Sequence, residues 1–128
     1  MGTSEMNLLA GWLGMLGGVL SGAITGLFFH RDEWMGGYGS YRRRLLRLGH
    51  ISFFGLGIVN LFYGLTLSSL QFSIAHSEAA SIAFIIGLIT MPCCCFLAAW
   101  KKPLRHFFPI PVVSVMAGLI ILLLGWHR

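Results

Sequence analysis

The stretch RRRLLRLGHISFFGLGIVNLFYGL, from Arg42 to Leu65, passes from arginines into a long apolar run. Two polar side chains stand out in that run: His50 at its beginning and Asn60 well inside it. A helical run of about 20 apolar residues matches the roughly 30 Å hydrocarbon core of a bilayer. The stretch therefore predicts a transmembrane helix that starts at a basic membrane surface.

The whole chain has the composition of an integral membrane protein. It has 128 residues, of which 56% are hydrophobic and 10% charged, and its mean hydropathy is +0.80. A soluble domain of this size needs a charged shell, which so few ionisable residues do not supply. The net charge of +5 comes from basic residues beside apolar runs, so it indicates membrane topology rather than nucleic-acid binding.

We predict a single all-α domain over residues 1–128, with four transmembrane helices. Hydrocarbon offers the backbone no hydrogen-bonding partners, so each span has to be a continuous helix. Short connections favour an up-down-up-down four-helix bundle. The predicted spans are about 8–29, 46–70, 80–100 and 107–126.

Basic residues predict the orientation of these spans. Every Lys and Arg except Arg128 lies in or beside the first or third connection, and the second connection, QFSIAHSEAA, has none. The positive-inside rule makes the first and third loops cytoplasmic and places both termini outside. The expected location is a bacterial inner membrane.

A cluster of arginines precedes the second span. The segment YGSYRRRLLRL predicts a short interfacial helix that Ser40 caps. We expect Arg42, Arg43, Arg44 and Arg47 to face anionic lipid headgroups, with docking on a partner subunit as the alternative.

Glycines indicate where helices pack closely. Gly18, Gly22 and Gly26, in GGVLSGAITG, repeat every four residues and present a small face to helix two or to a neighbouring subunit. On helix two a stripe of about 80° contains small and polar residues. Its members are His50, Gly57, Asn60, Gly64 and Ser68. Asn60 is expected to bond across to another helix, with contact to a ligand or an ion as the alternative.

Three histidines are predicted near the inner surface: His30 after helix one, His50 at the start of helix two and His106 before helix four. Two imidazoles from different helices can ligate a b-type haem, and nearby arginines can pair with its propionates. One interpretation is therefore a haem-b site with His50 as the first ligand. The other is that all three histidines mark the membrane boundary.

The sequence contains no recognisable catalytic constellation. The predicted spans contain no carboxylate, and the chain has no Ser-His-Asp array, phosphate loop or H-E-x-x-H motif. Cys93, Cys94 and Cys95 are consecutive and point about 100° apart, which favours apolar filling over a metal site. Lipidation, or metal contact with another helix, is the alternative for these cysteines.

Two segments are similar to fluoride channels. GGVLSGAITG resembles the glycine-rich first helix of that family, and GLGIVN resembles the part of its second helix that carries an asparagine. The arginine that follows the glycines in the family is missing here, and ITMPCCCF replaces its Thr- and Phe-rich third-helix segment. Small multidrug transporters are similar in size, but they need a glutamate in the first span, and Glu5 precedes that span.

These observations favour a non-enzymatic subunit of a larger membrane complex, of the respiratory or photosynthetic kind. Its partners are the lipid bilayer and other membrane subunits or a second copy of the chain, without nucleic acid. Two alternatives remain. One is a haem-b electron carrier that uses His50, and the other is a small ion channel or transporter lined by the stripe of helix two.

Overall fold

A computed structural model describes residues 1–69 and 73–126, and all the regular structure in these ranges is helical. The long helices are α1 (Thr3–Phe29), α2 (Tyr41–Ser69), α3 (Ile74–Trp100) and α4 (Pro109–Gly125). Short 3-10 helices cover Trp34–Gly36 and Lys102–Phe107. Four helical segments are long and apolar enough to cross a membrane, the last comprising α4 and the 3-10 helix before it. The prediction of an all-helical chain with four such segments is confirmed.

The helices begin earlier than the hydropathy pattern predicts. α1 starts at Thr3 rather than near Leu8, and α3 starts at Ile74 rather than near Ala80. Hydropathy marks the limits of a hydrocarbon layer, whereas a helix continues into polar surroundings wherever its first turn is stabilised. In α1 the Glu5 carboxylate accepts a hydrogen bond from the backbone N–H of Gly2, at 2.9 Å. The predicted end of helix two at Leu70 lies outside the described residues.

The predicted interfacial helix is not a separate element. α2 runs without a break from Tyr41, so the arginine-rich segment and the apolar span form one helix. Ser40 caps it, since its Oγ accepts the backbone N–H of Arg43 at 3.1 Å and donates to the carbonyl of Met35 at 2.8 Å. At the other end of the chain, Phe107 belongs to the 3-10 helix rather than to α4.

The connection between α1 and α2 reverses through left-handed backbone. Gly36 has φ of 88° and Gly37 has φ of 91°, which explains the paired glycines of WMGGYG. Met35, with φ of 56°, adopts the same region without that freedom. The turn brings the carbonyls of Arg31 and Trp34 toward α2, where they become hydrogen-bond acceptors.

α2 and α3 are the central helices. α2 packs against α1 and α3, and α3 packs against α2 and α4. One buried cluster joins Leu45 and Leu46 of α2 to Ala98 and Ala99 of α3. A second joins Tyr63 of α2 to Ala80 and Phe84 of α3, with Ile121 and Leu122 of α4 against it. α1 and α4 therefore lie at the flanks, and most of their apolar side chains are exposed to the surroundings of the protein.

Candidate functional site

Three polar side chains from three helices meet in the interior. Asn7 of α1, Asn60 of α2 and Ser81 of α3 are each 0% exposed. The Ser81 hydroxyl donates to Oδ1 of Asn7, and Nδ2 of Asn7 donates to Oδ1 of Asn60 at 2.8 Å. Nδ2 of Asn60 in turn donates to the backbone carbonyls of Leu56 at 2.9 Å and Phe84 at 3.3 Å.

This polar cluster is a one-way donor chain that ends on backbone. Each side chain donates to the next, and the Asn60 amide finishes on carbonyls of α2 and α3. A polar group without a partner in hydrocarbon costs several kcal/mol, roughly, so satisfied groups of this kind hold helices in one register. The arrangement positions α1, α2 and α3 relative to one another.

Further side chains bond to the backbone of the neighbouring helix. Ser4 Oγ donates to the carbonyl of Gly64 at 2.7 Å, and the Tyr63 hydroxyl donates to that of Ser77 at 2.7 Å. Ser114 of α4 donates to the carbonyl of Ala83 at 2.6 Å. Each of the three contacts between consecutive helices therefore includes at least one such hydrogen bond.

The glycines of α1 and α2 lie at the interface between these two helices. A Cβ at Gly11 would lie 2.8 Å from the carbonyl oxygen of Gly57, and one at Gly57 would lie 3.0 Å from that of Gly11. A Cβ at Gly64 would lie 2.9 Å from the carbonyl oxygen of Ser4. Backbone atoms cannot move away as side chains can, so these positions require glycine. The close approach is the geometry that small-xxx-small patterns support in membranes.

The three glycines predicted to form the packing face of α1 have different surroundings. A Cβ at Gly18 would lie 2.6 Å from the ring of Phe54, and one at Gly22 would collide with the imidazole of His50. Gly26 is exposed, and a Cβ there would meet nothing within 4 Å. Gly18 and Gly22 therefore pack on α2 of the same chain, and Gly26 is left open.

His50 packs between α1 and α2. Its Nδ1 donates to the carbonyl of Gly18 at 2.8 Å and lies 3.4 Å from Oγ of Ser21. The ring stands edge-on to Phe54, with 5.3 Å between centroids. These contacts fix the imidazole orientation and place it on the face of Gly22.

The three candidate haem ligands have different surroundings. His30 ends α1 and His106 lies in the 3-10 helix before α4, and both are exposed. Among residues 1–69 and 73–126, no hydrogen bond or ring contact joins His30, His50 and His106. In the same ranges no group of three or more His, Cys, Asp or Glu side chains is placed to hold a metal ion.

Arg43 was predicted to face lipid or a partner, but its side chain is buried. It is 2% exposed. Nε donates to the carbonyl of Trp34 at 2.6 Å, and a terminal nitrogen donates to that of Arg31. The guanidinium also lies over the rings of Phe29 and Trp34, at 5.5 and 5.6 Å from their centroids. The left-handed turn after α1 presents both carbonyls to this cation, which is why the residue is buried.

The other arginines of the cluster lie nearer the surface. Arg42 and Arg44 are exposed, and Arg42 lines a cavity of about 420 Å³ together with Lys102. Arg47 is half-buried, donates to the carbonyl of Tyr38 at 3.3 Å and lies 4.5 Å from the centre of the Tyr38 ring. Lys102 Nζ lies 5.7 Å from the centre of the Tyr41 ring, so the two basic connections meet at one end of the molecule.

The three cysteines occupy different environments. Cys94 and Cys95 are buried in the core of α3, at 5% and 0% exposure, whereas Cys93 is exposed. All three are free thiols. Their placement on successive faces follows from the 100° step of a helix, which continues through the buried Pro92.

Sequence reasoning identified Asn60 but missed its partners. Asn7 and Ser81 lie at or before the predicted span limits, where a polar residue is ordinary. Only the packing of three helices shows that both side chains reach Asn60.

The chain was compared with known protein families, curated proteins and solved structures, and it matches none of them.

Proposed function

We propose that this chain is a non-enzymatic integral membrane subunit that packs into a larger complex of a bacterial inner membrane. The observation that carries the proposal is the use of the buried polar side chains. Asn7, Arg43, Asn60 and Ser81 all bond within the chain, three of them between helices and Arg43 to the turn after α1. Such groups serve packing rather than chemistry or conduction.

The contacts between α1 and α2 support an up-down-up-down arrangement. Ser4 bonds to Gly64, Asn7 bonds to Asn60 and Gly18 accepts from His50. The contacted residue of α2 therefore falls in number as the residue of α1 rises, as in an antiparallel pair. The two basic connections lie at one end, and by the positive-inside rule this end is cytoplasmic, with both termini outside.

The polar stripe of α2 does not favour a channel. Asn60 is enclosed among α1, α2 and α3, whereas Ser68 is exposed and its Oγ donates to the carbonyl of Leu65 in its own helix at 2.8 Å. His50 packs on Gly18 and Gly22. The three polar residues of the stripe therefore have separate local roles.

The flank of α1 is the surface we assign to a partner subunit. It exposes large apolar side chains along its length, and in the respiratory or photosynthetic complex that we propose this face is buried against another subunit. The most exposed members are Trp12, Leu13, Val19, Ile24 and Leu27. Near its inner end lies Gly26, the glycine of the predicted face that no other part of the described chain covers.

The experiment is native gel electrophoresis of membranes solubilised in a mild detergent, with mass spectrometry of the proteins that migrate together. We expect the wild type in a complex much larger than its own 14.1 kDa. Gly26→Leu should release the chain at unchanged stability. Ala79→Leu is the matched control, because Ala79 is also exposed but lies on α3. Equal complex sizes for wild type and Gly26→Leu contradict the proposed face, and migration of the wild type alone contradicts the subunit role.

A further inference from the structure

An apolar groove runs between α2 and α4 and has no occupant from the described chain. Its volume is about 570 Å³, within the range of small-molecule sites. Leu48, Gly55 and Val59 line one wall, Pro111 and Leu119 line the other, and Met91 of α3 also lines it. A Cβ at Gly55 would meet nothing within 4 Å, so this glycine widens the groove.

The groove is about one leaflet long. From Leu48 to Val59 an α-helix rises about 16 Å, roughly half of a 30 Å hydrocarbon core. The lining of the groove ends at Val59 on α2 and at Leu119 on α4, and both Val59 and Ile121 pack against the buried cluster of Tyr63 and Phe84. A transmembrane helix of a partner crosses the whole core, so a groove of half that length fits it poorly. An acyl chain of one leaflet has the matching length.

The groove offers no directional polar contact. Ser52 is a hydroxyl-bearing residue of its lining, and its Oγ already donates to the carbonyl of Gly49 at 2.8 Å. A polar ligand would lose its hydrogen bonds to water here without replacement. The lining therefore suits a hydrocarbon chain.

Both walls of the groove begin in basic segments. Arg44 is exposed and lies one helical turn before Leu48, on the same side of α2. The 3-10 helix that leads into α4 carries Arg105 and His106, which are exposed and line a shallow cavity of about 280 Å³ with Lys102. Positive charge is thus concentrated at the end where the headgroup of a lipid in this leaflet would lie.

We infer that the groove binds one acyl chain of an anionic phospholipid from the leaflet next to the basic loops, with its phosphate near Arg44. Charge complementarity at the mouth selects an anionic headgroup, and the length and apolar lining of the groove select the tail. This inference does not rest on the proposed subunit role, because none of the residues that line the groove belongs to α1.

Native mass spectrometry of the full chain, released from detergent, tests the inference with two probes. These are phosphatidylglycerol and phosphatidylcholine with identical acyl chains. We expect one phosphatidylglycerol to remain bound under conditions that strip phosphatidylcholine. Gly55→Leu fills the groove and should abolish retention of phosphatidylglycerol, whereas Gly26→Leu, which adds the same side chain at an open position of α1, should retain it.

The Arg44→Gln variant tests the contribution of the headgroup to lipid affinity separately from that of the acyl chain. It should lower the affinity for phosphatidylglycerol about fivefold, the effect expected of one cation at a membrane surface, and leave phosphatidylcholine unchanged. Arg42→Gln is the control, since Arg42 is exposed in the same helical turn but lines the cavity shared with Lys102. Equal losses in the two variants would mean diffuse surface attraction and would overturn the assignment to Arg44.

Photo-crosslinking uses the wild-type protein, so its result does not depend on whether the variants fold. A phosphatidylglycerol with a photoreactive group in its tail should label Ser52–Val59 and Val112–Leu119. Labelling spread evenly over α1 and α4 would overturn the assignment of the acyl chain to the groove. Loss of a co-purifying membrane protein from Gly55→Leu, with lipid retention unchanged, would show that a protein partner occupies the groove and would equally overturn the inference.

Discussion

The side chains of Asn7 and Asn60 hydrogen-bond to each other across the interface of α1 and α2, with 2.8 Å between Nδ2 and Oδ1. Both are 0% exposed, and Ser81 of α3 donates to the same Asn7. This contact joins residues 53 positions apart and makes the register of three helices interdependent.

Asn60→Leu should lower the free energy of unfolding by about 1–2 kcal/mol, because it removes the acceptor of Asn7 and leaves that amide without its partner. Unfolding in mixed micelles at increasing fractions of denaturing detergent measures the change. Thr66→Val is the control, since the Thr66 hydroxyl bonds back to Phe62 in its own helix, at 2.7 Å. Equal stability of Asn60→Leu and Thr66→Val contradicts a role for the cluster in packing.

Gly22→Leu and Gly26→Leu should differ in stability although both add the same side chain to α1. A Cβ at Gly22 collides with the His50 ring, whereas the space around Gly26 is open. Overpacking of this kind costs about 1–3 kcal/mol. We expect that loss in Gly22→Leu and a change below about 0.5 kcal/mol in Gly26→Leu. The same unfolding assay measures both, and a stable Gly22→Leu protein would contradict the packing of His50 on α1.

Arg43→Gln should loosen the connection between α1 and α2. The substitution removes charged hydrogen bonds to the carbonyls of Trp34 and Arg31 and the stacking on Phe29. Hydrogen bonds to charged groups contribute about 1.5–3 kcal/mol each. Cleavage by chymotrypsin after Tyr38, in protein reconstituted with this loop accessible, should become several-fold faster. Arg42→Gln, at an exposed position, should cleave at the wild-type rate.

The burial of Arg43 could not be predicted from the sequence. Arg42, Arg43 and Arg44 are consecutive and chemically identical, and the positive-inside rule treats them as equivalent. They point about 100° apart, so only one of them faces the turn after α1. Whether a buried cation can be satisfied there depends on the left-handed backbone at Met35, Gly36 and Gly37, which hydropathy does not encode.

The helices themselves were predictable because one physical requirement defines them. Backbone groups in hydrocarbon must bond within the segment, so apolar length is sufficient evidence for each helix. Asn7 and Ser81 were not predictable as a site, since a single polar residue near a span limit is indistinguishable from one outside it. The glycine pattern predicted a close contact. Only the positions of the neighbouring atoms show that Gly22 packs closely on His50, whereas Gly26 is open.

The absorption spectrum of the purified protein decides between the proposed role and the haem-b alternative. The imidazole ring of His50 packs against Gly22 of α1 and edge-on to Phe54. We therefore expect a reduced-minus-oxidised spectrum without a b-type α-band, and we expect His50→Ala to change stability alone. A band in the wild type that disappears in His50→Ala would make His50 a haem ligand and would contradict our proposal.

Labelling of single cysteines tests the orientation. In a background with Cys93, Cys94 and Cys95 replaced by Ala, one variant carries Gly39→Cys in the first connection and another carries Ser73→Cys before α3. A membrane-impermeant maleimide added to intact cells should label Ser73→Cys and leave Gly39→Cys unlabelled until the membrane is opened. We expect this because the positive-inside rule predicts a cytoplasmic location for the connection beside Arg42 and its neighbours, and the energy of moving such a cluster across the membrane is high. The reverse pattern would invert the topology, and labelling of both variants in intact cells would mean that the chain inserts in two orientations.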